Sequence, residues 1–234
     1  MNVFSVLGST LLKFFYPTFC LYCKKMGVLF CPDCLECLDF SVAELHLPQT
    51  TSLTSVRALT EFGPAAQSIV HALKFGSVKG AGSLIGRMVY WYAWLPKVDF
   101  LVPVPLSRER FRERGYNQAS VITKTLSHLS SIPVLEALIK THHTKAQAQQ
   151  TSGQERWHNL SQAFAHNPEI LATQLQGAKV LLIDDVVSTG ATLESCAQVL
   201  RCSGTAEVHG MAFSHGQISN SRGIMEYVHG DVLH

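Results

Sequence analysis

Charge is scarce in this chain. Only 15% of its residues are Asp, Glu, Lys or Arg, and the balance leaves a net charge of +2. No molecule-wide basic field exists, so any nucleic-acid contact must rest on a local patch. Long apolar runs are also missing. The most apolar stretch, Met1 to Tyr16, falls short of the roughly 20 residues that span a bilayer and lacks a basic leader. Its apolar positions 3, 4, 7, 11, 14 and 15 predict a short docked helix without a membrane span, in a cytosolic, cytoplasmic protein. GxxxxGK followed by Ser or Thr is absent, and so is GxGxxG, which excludes a P-loop and a dinucleotide fingerprint. The 11 histidines are scattered without an HExxH pair; His142 and His143 fall in a polar stretch and read as surface residues.

What remains is 234 residues that are 47% hydrophobic, enough for one full core and a small appendage. The most informative stretch runs from Val180 to Thr192. Its apolar start reads as a buried strand, which ends in Asp184 and Asp185 and turns through Ser188, Thr189 and Gly190 into a helix. A helix N-terminus offers unpaired N–H groups and a positive dipole end to an anion. Gly190 permits close backbone approach, Ser188, Thr189 and Thr192 add hydroxyls, and the acids can accept from vicinal ribose hydroxyls. Asp185 as a helix N-cap is the plainer alternative. A cap needs one acid, however, and two adjacent carboxylates repel, which favours an external partner such as a ribose diol or Mg²⁺. The pattern resembles the signature of type I phosphoribosyltransferases, which bind phosphoribosyl pyrophosphate (PRPP). That resemblance implies that Asp184 and Asp185 hold the ribose 2′ and 3′ hydroxyls and act as the catalytic pair. It also implies that Ser188, Thr189, Gly190, Ala191 and Thr192 wrap the 5′-phosphate.

The cysteines divide the chain. Five of the seven lie between positions 20 and 37, as two CxxC pairs, Cys20/Cys23 and Cys31/Cys34, with Cys37 three residues on. With no export signal to suggest disulfides, this spacing predicts a closed, structural four-thiolate zinc site in a small ribbon-like module. A redox CxxC is the alternative, and Cys37 competes with Cys34 for the fourth position. Cys196 and Cys202 read as buried packing residues. Pro48 to Ser52 reads as the linker out of the module, which divides the chain into 1–50 and 51–234.

Strands are predicted at about 56–62, 99–104, 179–184 and 206–213, and helices at about 65–75 and 84–94. This is an α/β pattern with a parallel sheet, whose ligand crevice lies at the carboxyl ends of the strands. After the second strand come Pro105, Leu106, Ser107 and then Arg108, Arg110, Arg112 and Arg114, interleaved with Glu109 and Glu113. A solvated, charge-alternating helix start is one reading of them. A pyrophosphate loop is the other, because guanidinium groups match polyphosphate bidentately. Residues 141 to 155 show no period, and a long polar loop of this kind suits a closing lid, in which Lys145, Arg156 and Asn159 reach the pyrophosphate.

The Cys₄ module, the Val-Pro-Val-Pro-Leu-Ser-Arg to Arg-Gly-Tyr-Asn-Gln segment, the Arg-x-x-Asn-Leu stretch and the Asp-Asp-Val-Val-Ser-Thr-Gly loop together resemble the ComF/GntX family. The likeness runs from about Leu11 to Phe213; the Gln-rich run at Gln147, Gln149 and Gln150 departs from it. It implies a type I phosphoribosyltransferase-like fold, PRPP with Mg²⁺, and a part in natural competence, where internalised single-stranded DNA and DNA-processing proteins are partners. The alternatives left open are an active phosphoribosyltransferase with an unidentified nucleobase or amine acceptor, and a protein that senses PRPP or binds single-stranded DNA without turnover. In the last case Tyr116 and Trp157 are candidates for stacking on bases.

Overall fold

The computed structural model describes residues 18–47, 50–141 and 163–216. The expected N-terminal helix, the closing-loop residues Lys145, Arg156 and Asn159, the Gln-rich run and Trp157 all lie outside the described residues. Among the described residues, no helix is long and apolar enough to cross a membrane.

In chain order the elements are α1 (Pro32–Leu35), β1 (Ala43–Glu44), β2 (Ser55–Glu61), α2 (Pro64–Lys74), α3 (Lys79–Tyr92), β3 (Phe100–Pro103), α4 (Arg108–Arg114), α5 (Gln118–Ser130), β4 (Leu138–Lys140), β5 (Phe164–His166), β6 (Lys179–Val187), α6 (Ala191–Cys202) and β7 (Glu207–His215). The main sheet has the order β1-β2-β7-β6-β3. Its four long strands run parallel and β1 adds an antiparallel edge. β4 and β5 form a separate antiparallel pair.

Alternation along the strands builds both faces of the sheet. Val56, Val102, Val180, Leu182, Val208 and Ala212 point to one side and pack with Cys196, Ala197 and Leu200 of α6 and with Leu138 and Phe164 of β4 and β5. Leu59, Leu101, Leu181, Ile183, Met211 and Phe213 point to the other side, against α2, α3 and α5. Two-sided burial explains why these strands read as continuous apolar runs.

Three expectations change. The strand carrying the acid pair extends to Val187 rather than stopping at residue 184, because its ladder to β7 continues as far as Val187 against His215. α3 begins at Lys79 instead of residue 84. Its glycines are helical because bulk is excluded there: a Cβ on Gly82 would sit 2.7 Å from Val121 and one on Gly86 2.8 Å from Ile122. The stretch from Thr50 to Thr54 is bolted down rather than a free linker. Glu194 of α6 accepts from the Thr51 hydroxyl (3.2 Å) and from the amides of Ser52 (2.9 Å) and Leu53 (3.3 Å), while Arg201 donates to the Ser52 carbonyl and the Thr54 hydroxyl.

The cysteine module packs on the α3 side of the core. Leu38 is buried in it, Leu21, Phe30, Leu35 and Phe40 lie against it, and Phe40 stacks on Tyr92 with ring centroids 4.5 Å apart.

Candidate functional site

The carboxyl ends of β3 and β6 are neighbours, since Pro103 pairs with Ile183. The segments that leave them therefore start side by side. After β6, Gly190 is the N-cap of α6, in the left-handed region at φ +77°. Asp185 is not that cap. A Cβ on Gly190 would lie 2.3 Å from Leu47 Cδ1, so both conformation and packing demand glycine here. The amides of Ser188, Thr189 and Gly190 meet no protein acceptor among the described residues. With the first turn of α6 they line a small open niche that also contains Asp184, Thr192 and Leu193. This is the anion-binding geometry of a helix N-terminus.

The two acids do not share one environment. Side chains alternate across a strand, and the contacts follow that rule. Asp185 is buried and its carboxylate pairs with Lys74 Nζ at the end of α2, at 3.0 Å. Asp184 is half-buried and faces the opposite layer, where Cys196 of α6 and Lys140 of β4 sense its charge. Its own carboxylate accepts from the Asp185 amide at 2.8 Å. Burial, and then the neighbouring Asp185 charge, push the Asp184 carboxyl up to about 7, against the pull of that amide, Lys74 and Lys140. Cys196 is buried, and its thiol is pushed up by burial and by Asp184. Cys202, expected to be buried with it, is exposed.

The arginine segment is a helix whose residues include none that is buried. The Ser107 hydroxyl caps it by accepting from the Arg110 amide at 3.3 Å, and Gly115 ends it at φ +74°. At about 100° per residue, Arg108 and Arg112 share one face while Arg110 and Arg114 share another, so the four cannot converge on one ligand. Arg110 is the arginine whose charge reaches Lys140; burial first and then Arg110 lower that lysine's pKa. Arg114 instead lies over the Phe75 ring, 5.5 Å from its centroid. Arg108, with Pro105 and Leu106, lines a separate cleft of about 810 Å³ beside Lys79, Lys124 and Lys140. Tyr116 is not available for base stacking: it is buried, and its hydroxyl donates to the Leu73 carbonyl. Asn117 ties the segment to the sheet by donating to the Val104 carbonyl at 2.9 Å and capping α5.

Lys74 and Lys140 went unrecognised in the sequence. Each is a single lysine ending an apolar helix or strand, and only tertiary structure brings it to the acids. Lys140 is also the last residue of β4. Just beyond it, the Thr141 amide donates to the Ala163 carbonyl at 2.9 Å, continuing the β4–β5 pairing.

The thiols of Cys20, Cys23, Cys31 and Cys34 all lie within 4.8 Å of one another, with Cys23 and Cys31 sulfurs 3.5 Å apart. Zn–S bonds of about 2.3 Å set tetrahedral sulfurs roughly 3.8 Å apart, so the four can hold a zinc ion. Burial works to raise the Cys20 thiol, but the amides of Cys31, Cys23 and Tyr22 aimed at its sulfur bring it down to about 6. Burial and the other cysteines push Cys34 up. Cys37 stands apart, exposed, with its thiol donating to the Asp33 carbonyl at 3.4 Å.

No protein-family model matches the chain. Competence protein ComFC of Bacillus subtilis is 36% identical over 196 residues, covering 78% of this chain and 76% of that one. Competence protein F of Haemophilus influenzae is 36% identical over 111 residues, so this match spans about half (47%) of either protein. Among solved structures, the B. subtilis glutamine PRPP amidotransferase is similar over 61% of this chain and 26% of its own, at 18% identity and a TM-score of 0.38, a likeness too slight to bear on the site. The extent and identity of the ComFC match show the family: the chain belongs to that of competence protein ComFC, the ComF family that its motifs resemble.

Proposed function

We propose that the chain is a PRPP-binding, phosphoribosyltransferase-like protein that works in the cytoplasm in natural competence, where incoming single-stranded DNA is handled. One observation carries the PRPP reading. The open N-terminus of α6 and the Asp184 carboxylate line one niche beside the end of β3, within electrostatic reach of Lys140, which Arg110 reaches in turn. In this reading the amides of Ser188 to Gly190 and the hydroxyls of Thr189 and Thr192 take the 5′-phosphate, Asp184 accepts from a ribose hydroxyl, and Arg110 with Lys140 faces the diphosphate. Asp185 contributes through its pair with Lys74, which fixes the strand end. Mg²⁺ bound with the ligand would neutralise part of the diphosphate charge. Any positive charge that builds on the sugar as pyrophosphate departs is stabilised by the Asp184 carboxylate. Calorimetric titration with PRPP and Mg²⁺ tests the reading, and pyrophosphate release across nucleobase and amine acceptors tests for turnover.

The zinc ion is structural in this account, because four thiolates leave no open coordination position. Metal analysis is expected to find about one zinc per chain, lost in Cys34→Ser and kept in Cys37→Ser.

A second reading, DNA binding without turnover, is favoured by the exposure of α4. Arg108, Arg112 and Phe111 all face solvent there, and the adjoining cleft adds Lys79 and Lys124. It predicts oligonucleotide affinity that falls steeply with salt and weakens in Arg112→Ala. Affinity independent of salt would remove it.

A further inference from the structure

At the opposite end of the sheet, the first residues of three strands form a connected polar line. Ser55 opens β2, Lys179 opens β6 and Glu207 opens β7. Strand register sets Ser55 beside His209, and Lys179 beside Glu207. The Ser55 Oγ lies 2.8 Å from His209 Nδ1, His209 Nε2 lies 3.2 Å from Glu207 Oε2, and Lys179 Nζ lies 2.6 Å from Glu207 Oε1. Hydrogen bonds from Lys179 and His209 hold the Glu207 carboxyl below its usual range. An ionised carboxylate only accepts, so Nε2 carries the imidazole proton towards Glu207. Nδ1 then presents its lone pair to the Ser55 hydroxyl. A nucleophile within reach of a base that is itself oriented by a third group is the arrangement that activates serine.

This line borders a cavity of about 340 Å³. Trp94, Met211 and Leu181 give it apolar walls, and Arg57 and Lys97 bring positive charge. Arg57 is held in place by Glu44 at 3.2 Å and by the Trp94 ring, 4.9 Å below its guanidinium. Ser55 is half-buried, so a small ligand can reach it. Nothing in the phosphate-loop site draws on these residues.

We propose that this is a second, esterase-type site, with Ser55 as nucleophile, His209 as general base and Glu207 as a positioning residue, and with small carboxylic esters of apolar acyl groups as its substrate class. Ser55 Oγ attacks the ester carbonyl carbon and its proton passes to His209 Nδ1. The negative tetrahedral oxygen is stabilised by the positive charge of Arg57 and Lys97. As the intermediate collapses, the bond to the alkoxy oxygen breaks and the alcohol leaves with the proton from His209. Water, deprotonated by His209, then attacks the acyl-serine, releasing the carboxylic acid and restoring Ser55.

The test is fluorophosphonate labelling of the purified full chain, read by intact mass and peptide mapping. The expected result is a single adduct on Ser55, absent in Ser55→Ala and formed about 100-fold more slowly in His209→Gln. Glu207→Gln is expected to slow labelling and Glu207→Asp to recover part of the rate, whereas both would be silent if the acid served only the sheet. No adduct on folded wild-type protein would overturn the proposal. So would an adduct whose rate ignores His209→Gln in protein that melts as wild type does; the line would then be a cross-strand polar ladder and nothing more.

Discussion

The two segments that leave the adjoining strands β6 and β3 are held in opposite ways. The one after β6 is anchored on both sides: Asp185 before it is locked to Lys74, Gly190 packs against Leu47, and Glu194 beyond it gathers three donors from residues 51–53. The segment after β3 becomes a seven-residue helix on the surface, capped at both ends and with no buried residue. A grip that recognises one fixed anion gains from rigidity, since nothing need be ordered on binding. A surface helix of arginines can serve one ligand with Arg110 and another with Arg108 and Arg112. The contrast separates a built site from an adaptable one.

Gly190→Ala should break the rigid side most severely. A left-handed φ and an overlap with Leu47 together cost about 3 kcal/mol, visible as a lower denaturant midpoint. Adding Leu47→Ala should recover the overlap but not the backbone strain. If Gly190→Ala melts as wild type does, the loop is not constrained as described.

Lys74→Met comes next. It strands the buried Asp185 carboxylate beside Asp184, and a loss of about 2 kcal/mol is expected by chemical denaturation. Stability unchanged at neutral pH would mean that the pair holds nothing together.

Asp184 supplies a subtler effect. Its folded pKa is raised to about 7 from the ordinary 3.8 of an aspartate. Between these two values the folded state holds more protons than the unfolded one, so this group's contribution to stability falls as pH rises. Asp184→Asn removes that dependence. It should therefore melt higher than wild type at pH 7 to 8, with the gain shrinking towards pH 4. A gain independent of pH would show that the carboxyl is ordinary.

The smallest effect belongs to the surface helix. Arg112→Ala should shift stability by less than about 0.5 kcal/mol and leave PRPP affinity near wild type, while Arg110→Ala weakens PRPP binding. Equal losses from both would erase the division of α4 into two faces.

Much of the fold was legible because burial on both faces of a parallel sheet leaves runs such as Val180 to Ile183, and four thiols at CxxC spacing have few other uses. The details that escaped were tertiary. Where β6 ends depends on its neighbour β7 and on Lys74 making an acid tolerable inside the sheet. The start of α3 was hidden by glycines whose purpose is to admit α5. Adjacency in sequence suggested that Asp184 and Asp185 act side by side, but strand geometry sends them to opposite layers. The arginines looked equivalent until a helix period divided them. The CxxC spacing named Cys34 with Cys37 as a rival, and the cluster of sulfurs decides for Cys34.

The central claim is that Asp184 and the open end of α6 form a PRPP site. Calorimetry of PRPP with Mg²⁺ against wild type and Asp184→Asn tests it most directly. One PRPP per chain is expected for wild type and at least about tenfold weaker binding for the variant, a difference of roughly 1.4 kcal/mol. No heat with the wild type, or equal affinity in the two, would contradict it.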